Sequence, residues 1–220
     1  KPLKPRRQHE ESVFPCSTGK YFLEIFSGAG NLTKAVKQLN IPCLEPLDYI
    51  LGTHCDLRRR STQEVVLSWL DRQLIGFVHL GTPCTIWSQA RRSVKDSPAT
   101  RAKEESGLEL ALFSCEVIRR CIKLGIPYVL ENPRSSKLFL FPPLVHSVAC
   151  GSFHFVDFAM CQYGEQFQKN TRLVTSVGWL NPLAKKCHHK QHEVWLKGKV
   201  KVQQRDRHPI YVSKTALAGA

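Results

Sequence analysis

The sequence predicts an α/β fold, a doubly wound sheet, from three observations. An apolar run breaks at a glycine turn and continues as a helical stripe. Two later apolar runs end in reactive or acidic residues. A long amphipathic stretch lies between those two runs. A chain of 220 residues with 42% hydrophobic content can bury one good core. The expected organisation is a basic lead-in over 1–19, one catalytic domain over 20–180 and a basic tail over 181–220.

Residues 21–26 have the apolar, β-favouring make-up of a buried strand, which stops at Ser27-Gly28-Ala29-Gly30. Leu32, Val36 and Leu39 then recur at helical spacing, and Leu44-Glu45 ends a second expected strand. A helix is expected over 63–72, and 76–80 reads as a buried strand running into Gly81-Thr82-Pro83-Cys84. The longest helix carries Leu108, Ala111, Leu112, Cys115, Ile118 and Ile122 on one stripe. Glu104 and Glu105 lie near its start, Arg119, Arg120 and Lys123 near its end, and Gly125 stops it. Residues 126–130 form the next strand and deliver Glu131-Asn132-Pro133 at its carboxyl edge, where open α/β sheets place their sites. Residues 152–160 and 171–177 read as β-rich segments around a polar turn, and the tail from Asn181 is basic and weakly patterned.

Lys and Arg number 32 against 18 Asp and Glu, a net charge of +14, which attracts a polyanion and makes nucleic acid the leading partner. No apolar run is long enough to span a bilayer, and the opening Lys1-Pro2-Leu3-Lys4-Pro5-Arg6-Arg7 is not a secretory signal. Nine cysteines, odd in number and scattered, point to a reducing compartment and an intracellular location, nuclear in a eukaryote.

Three segments carry the chemistry. In Phe26-Ser27-Gly28-Ala29-Gly30 the glycines let backbone approach a ligand, although Thr33 stands where a dinucleotide fingerprint needs its third glycine. Glu45 and Asp48 follow the second strand, where a carboxylate can accept ribose hydroxyls. In Pro83-Cys84-Thr85-Ile86-Trp87-Ser88 a thiol ends a buried strand beside Arg91 and Arg92, which would lower its pKa and make it a nucleophile; a buried inert cysteine is the competing reading. Glu131-Asn132-Pro133 supplies a carboxyl group at the end of the next strand.

Taken together and in this order, these segments resemble the DNA cytosine-C5 methyltransferase family, over about residues 21–177. The resemblance implies a Rossmann-like sheet of the S-adenosylmethionine-dependent methyltransferase type. It makes Phe26, Ser27, Gly28 and Gly30 the cofactor loop, Glu45 and Asp48 the ribose acids, and Asp56 the acid near the adenine. Cys84, with Pro83 and Ser88, matches the nucleophile motif, and Glu131 with Asn132 the base-binding motif. Gln168 to Arg172 is similar to the family's glutamine- and arginine-containing strand, with Arg172 near the bound cytosine. The implied cofactor is S-adenosyl-L-methionine and the implied partner DNA in preference to RNA. The chain departs from the pattern in Ile86-Trp87, which replaces a glycine-phenylalanine pair, and in Pro133, which replaces a valine; the long variable region that reads target sequence is not found. Cytosine methylation in RNA and an inactive nucleic-acid-binding module are the alternatives.

Cys187-His188-His189 with His192 makes a partial metal-ligand set, with Cys161 or Cys150 as a fourth ligand. Its spacing fits no standard finger, so the sequence reading is a basic, histidine-rich surface, and no metal ligand is assigned.

Overall fold

A computed structural model describes residues 20–88, 97–192, 194, 196, 199–202 and 210–213. The lead-in 1–19 and the expected cations Arg91 and Arg92 lie outside the described residues.

Five strands form one mixed sheet in the order β1-β2-β3-β5-β4: β1 Tyr21–Ile25, β2 Ile75–Leu80, β3 Tyr128–Pro133, β4 His154–Ala159 and β5 Asn170–Thr175. The first three are parallel, and β5 runs antiparallel to both β3 and β4. The alternation of a strand sorts the side chains into two layers. Leu23, Ile25, Val78, Leu80, Tyr128, Leu130 and Val174 face helices α2 (Arg60–Asp71), α3 (Pro98–Leu124) and α4 (Pro142–Ala149) in the larger core. Phe22, Phe77, Val129, Val156 and Leu173 face the other way, toward α1 (Asn31–Gln38) and a short 3-10 segment, Gly178–Leu183. Fully burying an aliphatic side chain contributes about 1.5–3 kcal/mol, and Leu23, Ile25, Val78, Leu80 and Leu130 are all at 0% exposure, so the parallel strands anchor the domain.

The end signals of α3 are local. Ser97 caps it by accepting the Thr100 amide at 3.2 Å, Pro98 supplies a preset φ in the first turn, and Gly125 closes it at φ 66. The helix therefore starts well before the expected stripe. Its buried face runs through Ala111, Ser114, Cys115, Ile118 and Cys121, while Leu108 and Leu112 are 41% and 44% exposed and flank the core rather than fill it.

The expected second strand is reduced to two parallel bridges, Phe22 with Cys43 and Ile25 with Leu47. Pro42 and Pro46 interrupt the run; each lacks an amide donor, so a continuous ladder cannot form there. The third parallel strand extends further than expected, so that Glu131, Asn132 and Pro133 belong to β3 itself and pair with Leu173, Arg172 and Thr171. In the tail, β6 (Lys199–Val202) and β7 (Ile210–Ser213) pair antiparallel, an element that weak patterning did not reveal. Among the described residues no helix is long and apolar enough to cross a membrane.

Candidate active site at the carboxyl edge of the sheet

The loop after β1 is built from left-handed residues: Phe26 at φ 59, Gly28 at φ 55 and Gly30 at φ 67. Such a φ is costly for phenylalanine, and a bulky residue held there marks a loop shaped by its surroundings. Two contacts hold it. A Cβ on Gly81 would stand 2.7 Å from the Phe26 carbonyl oxygen, so the ends of β1 and β2 meet backbone to backbone. Asp48, 8% exposed, accepts the Gly28 amide at 3.0 Å and the Ile50 amide at 3.1 Å. Burial outweighs those two amides and raises its carboxyl from 3.8 to about 6.

Beneath the loop, Glu24 is buried and its Oε2 accepts the Thr33 amide at 2.8 Å and the Thr33 hydroxyl. Its Oε1 and the Ser27 hydroxyl are buried without a hydrogen-bond partner among the described residues. Buried polar groups are normally paired. Two orphaned oxygens beside a backbone cradle fit a polar ligand carrying ammonium and hydroxyl groups, as S-adenosylmethionine does.

Cys84 lies in the turn after β2, where the Trp87 amide bonds to its carbonyl at 3.0 Å. The two residues that depart from the family pattern fix this turn. Ile86 packs on Gly107 of α3 so closely that a Cβ there would lie 2.9 Å from it, and the Trp87 ring lies 4.9 Å from that of Phe141. The Trp87 carbonyl also accepts the Lys137 amide at 2.9 Å. Asn132 donates to the Thr82 carbonyl at 2.6 Å, tying β3 to the approach to Cys84. Pro83, which precedes Cys84, and Ser88, at the end of the turn, are partly exposed.

Glu131 is held by Lys169 and lies beside His79. Its Oε1 accepts Lys169 Nζ at 3.2 Å, with both side chains buried, and its Oε2 lies 3.8 Å from His79 Nε2. Burial lowers the His79 pKa and keeps its ring neutral. The Cys84 thiol shares this electrostatic field: burial pushes it up, Lys169 pulls it down and Glu131 adds a smaller upward push. The expectation of a lowered thiol pKa is corrected, since desolvation outweighs the ammonium. Glu24, His79 and Glu131 also line one groove of about 510 Å³ on the α1 side of the sheet.

Cys84, Glu131 and Asn132 are thus assembled around adjoining strand ends, and Phe26, Ser27, Gly28, Gly30 and Asp48 form a separate loop at the end of β1. Arg172 is not brought to Glu131. In the antiparallel register Leu173 is the residue opposite Glu131, so Arg172 projects from the other face, where it pairs with Asp157 at 2.6 and 2.8 Å and stacks over Phe155. The cation beside Glu131 is Lys169. Glu45 is exposed, 3.3 Å from His54, and lines a different cavity of about 470 Å³ with Thr53 and Trp69. Asp56 is buried and engaged by Arg58 in a two-point ion pair at 2.8 and 2.7 Å, which occupies both carboxylate oxygens.

Sequence reasoning missed Glu24, His79 and Lys169. The first two sit inside apolar strand runs, where a lone polar residue in a buried stretch was the available signal. Lys169 carried no signal beyond its place beside Gln168 in a basic chain.

No protein-family model and no curated relative matches the chain. Among solved structures it is similar to the Dnmt2 methyltransferase of S. pombe, with 13% identity and a TM-score of 0.44 over 71% of this chain and 50% of that one. It is also similar to a variant of Spodoptera frugiperda DNMT2, with 14% identity and a TM-score of 0.43 over 80% and 54% of the two chains. A third is the Entamoeba histolytica methyltransferase EhMeth, with 10% identity and a TM-score of 0.44 over 85% and 57%. The chain spans about half the length of these structures. At such identities and scores the likenesses decide neither activity nor substrate.

Proposed function

We propose that this domain transfers a methyl group to C5 of cytosine in nucleic acid, DNA in the first instance, with Cys84 as the attacking group. The observation that carries the reading is the assembly of a thiol, a carboxylate and an ammonium at the ends of β2 and β3, with Lys169 acting on both Cys84 and Glu131.

S-adenosylmethionine, when bound, would supply an electrophilic methyl group; the unpartnered Ser27 hydroxyl and Glu24 carboxylate oxygen would hold it, while Asp48 shapes the glycine loop by accepting the Gly28 amide. The chain's own residues do the rest. A cytosine turned out of its helix presents C6 to Cys84 and its N3 and amino edge to Glu131. The thiolate adds to C6, and the electron pair of the C5–C6 bond moves toward C5, which becomes the methyl acceptor. Lys169 favours the thiolate and fixes one Glu131 oxygen. The other oxygen is left to bind the base edge and to share a proton with N3 as negative charge develops there. Loss of the C5 proton to water and re-formation of the C5=C6 double bond expel the Cys84 thiolate. With a raised pKa the Cys84 thiol is both harder to ionise and a poorer leaving group, so the ammonium of Lys169 would assist each half of the cycle.

The test is transfer of labelled methyl from S-adenosylmethionine to DNA and to RNA in separate reactions, with a 5-fluorocytosine substrate to trap the adduct. Wild type should form a covalent complex and Cys84→Ser none, with the fold intact. Transfer to RNA alone would replace the DNA assignment. Cofactor binding without transfer to either polymer would make the chain a binding module.

A further inference from the structure

We propose that Cys161, Cys187, His189 and His192 form a tetrahedral site for a zinc ion, which clamps the C-terminal segment to the β4–β5 connection that carries Lys169. The four donor atoms come from two separated parts of the chain. Cys161 lies in the 3-10 turn Met160–Tyr163 that follows β4, and the other three lie in the extended stretch after Gly178–Leu183. All four donors lie within 4.8 Å of one another. Cys187 Sγ stands 3.6 Å from His189 Nδ1 and 3.4 Å from His192 Nε2. A tetrahedral zinc ion, at about 2.3 Å from sulfur and 2.05 Å from nitrogen, sets a sulfur–nitrogen edge of about 3.6 Å. These two edges match that value to within about 0.2 Å, and the remaining donor pairs lie within 4.8 Å. Two thiols and two imidazoles are the donor set of a structural zinc site rather than of a calcium or magnesium site, which takes oxygens.

The sequence left two candidates for the fourth ligand, and the fold separates them. Cys161 is 9% exposed within the cluster, whereas Cys150 is exposed at the end of α4 and donates to the His146 carbonyl. On this proposal 187–192 carries metal ligands rather than merely a basic, histidine-rich surface.

The clamp has a target. The segment after Leu183 touches the 159–167 region through the Tyr163 hydroxyl on the Leu183 carbonyl at 2.7 Å, the Ala159 amide on the Lys185 carbonyl at 2.9 Å and the Val194 amide on the Gln166 carbonyl at 3.3 Å. The Met160 amide, one residue before Cys161, bonds to the Lys169 carbonyl at 3.0 Å. A metal that locks Cys161 thus steadies the backbone that presents Lys169 to Glu131. Few apolar residues are buried in this part of the chain, so the ion supplies cohesion that packing does not.

The test uses the whole chain, stripped of metal and re-equilibrated with zinc, and reads metal content together with the absorption of the cobalt-substituted protein. The expected result is one bound metal per chain, with visible ligand-field bands and a near-ultraviolet sulfur-to-cobalt band. Cys187→Ser and His192→Ala should lose the metal, and Cys150→Ser should keep it. Because loss of a ligand can also unfold this region, Cys187→His adds a check: it should keep the metal and lose about half of the sulfur-to-cobalt intensity, as one of two thiolates is replaced. No stoichiometric metal in wild type, or an unchanged cobalt spectrum in Cys187→His, overturns the proposal.

Discussion

Replacing Asp48 with asparagine isolates one ionisation that the fold has made expensive. Its carboxyl is raised from 3.8 to about 6, chiefly by burial. Because the folded value lies above the unfolded one, folding favours the protonated form; the stability this contributes is complete below the unfolded value and is lost as pH rises through about 6. A shift of this size is worth roughly 3 kcal/mol in full, of which ~2–3 kcal/mol is lost between pH 4 and pH 7. Asparagine does not titrate, so its pH curve carries every other group and the difference between the two proteins carries Asp48 alone. It also cannot accept from both the Gly28 and Ile50 amides, since its NH2 must face one of them. That adds an offset of about 1–3 kcal/mol against the variant, insensitive to pH. Urea unfolding of both proteins at fixed ionic strength between pH 4 and pH 7 gives the difference directly. The stability advantage of wild type should shrink by ~2–3 kcal/mol across that range. A difference that stays flat, or that grows with pH, refutes the placement of Asp48 as a buried carboxyl under the glycine loop.

Lys169→Met should lower methyl transfer roughly 100-fold, the scale of a positioned proton-transfer group, and move the activity profile to higher pH, because the thiolate of Cys84 loses its ammonium neighbour. Lys169→Arg should recover part of both; an unshifted pH profile in a folded Lys169→Met protein would remove Lys169 from the site. Glu131→Gln keeps the shape of the side chain and should likewise cost about 100-fold or more in turnover with cofactor affinity unchanged, measured by single-turnover transfer and calorimetry. Gly81→Ala should destabilise by about 1–3 kcal/mol in denaturant titration, because its Cβ would meet a backbone oxygen that cannot rotate away; an unchanged midpoint would show that the β1 and β2 ends do not touch.

The parallel half of the sheet was legible because its strands are short apolar runs bounded by glycines, and 21–25, 75–80 and 128–130 stand where that pattern put them. The helical stripe of α3 was legible in period and largely in phase, since Ala111, Cys115 and Ile118 are buried; Leu108 and Leu112 share the spacing but fall at its margin, because the neighbouring layers decide how wide the buried face is. Two prolines undid the second strand, a local rule that was available and not applied. Local sequence does not encode register, so the face on which Arg172 falls depended on how β5 pairs with β3. The metal-ligand set was visible in composition, but the fourth ligand lies 26 residues from Cys187 and needed the fold to choose it.

The adjacency of Glu131 and Asn132 explains why a strand, rather than a loop, carries the acid. Successive residues of β3 project to opposite faces, so one dipeptide serves two layers. Glu131 enters the side where Lys169 and His79 meet, and Asn132 reaches through the other side to the Thr82 carbonyl, two residues before Cys84. The Glu131 carboxylate and the Cys84 turn are thereby linked through one backbone unit of β3 and one buried hydrogen bond. In a loop the same two residues could turn independently, and the distance from thiol to carboxylate would be free to vary by more than a reacting base tolerates. Asn132→Ala should therefore lower turnover while leaving cofactor affinity alone, and an intact rate in a folded Asn132→Ala protein would show that the nucleophile turn is held by Ile86 and Trp87 without it.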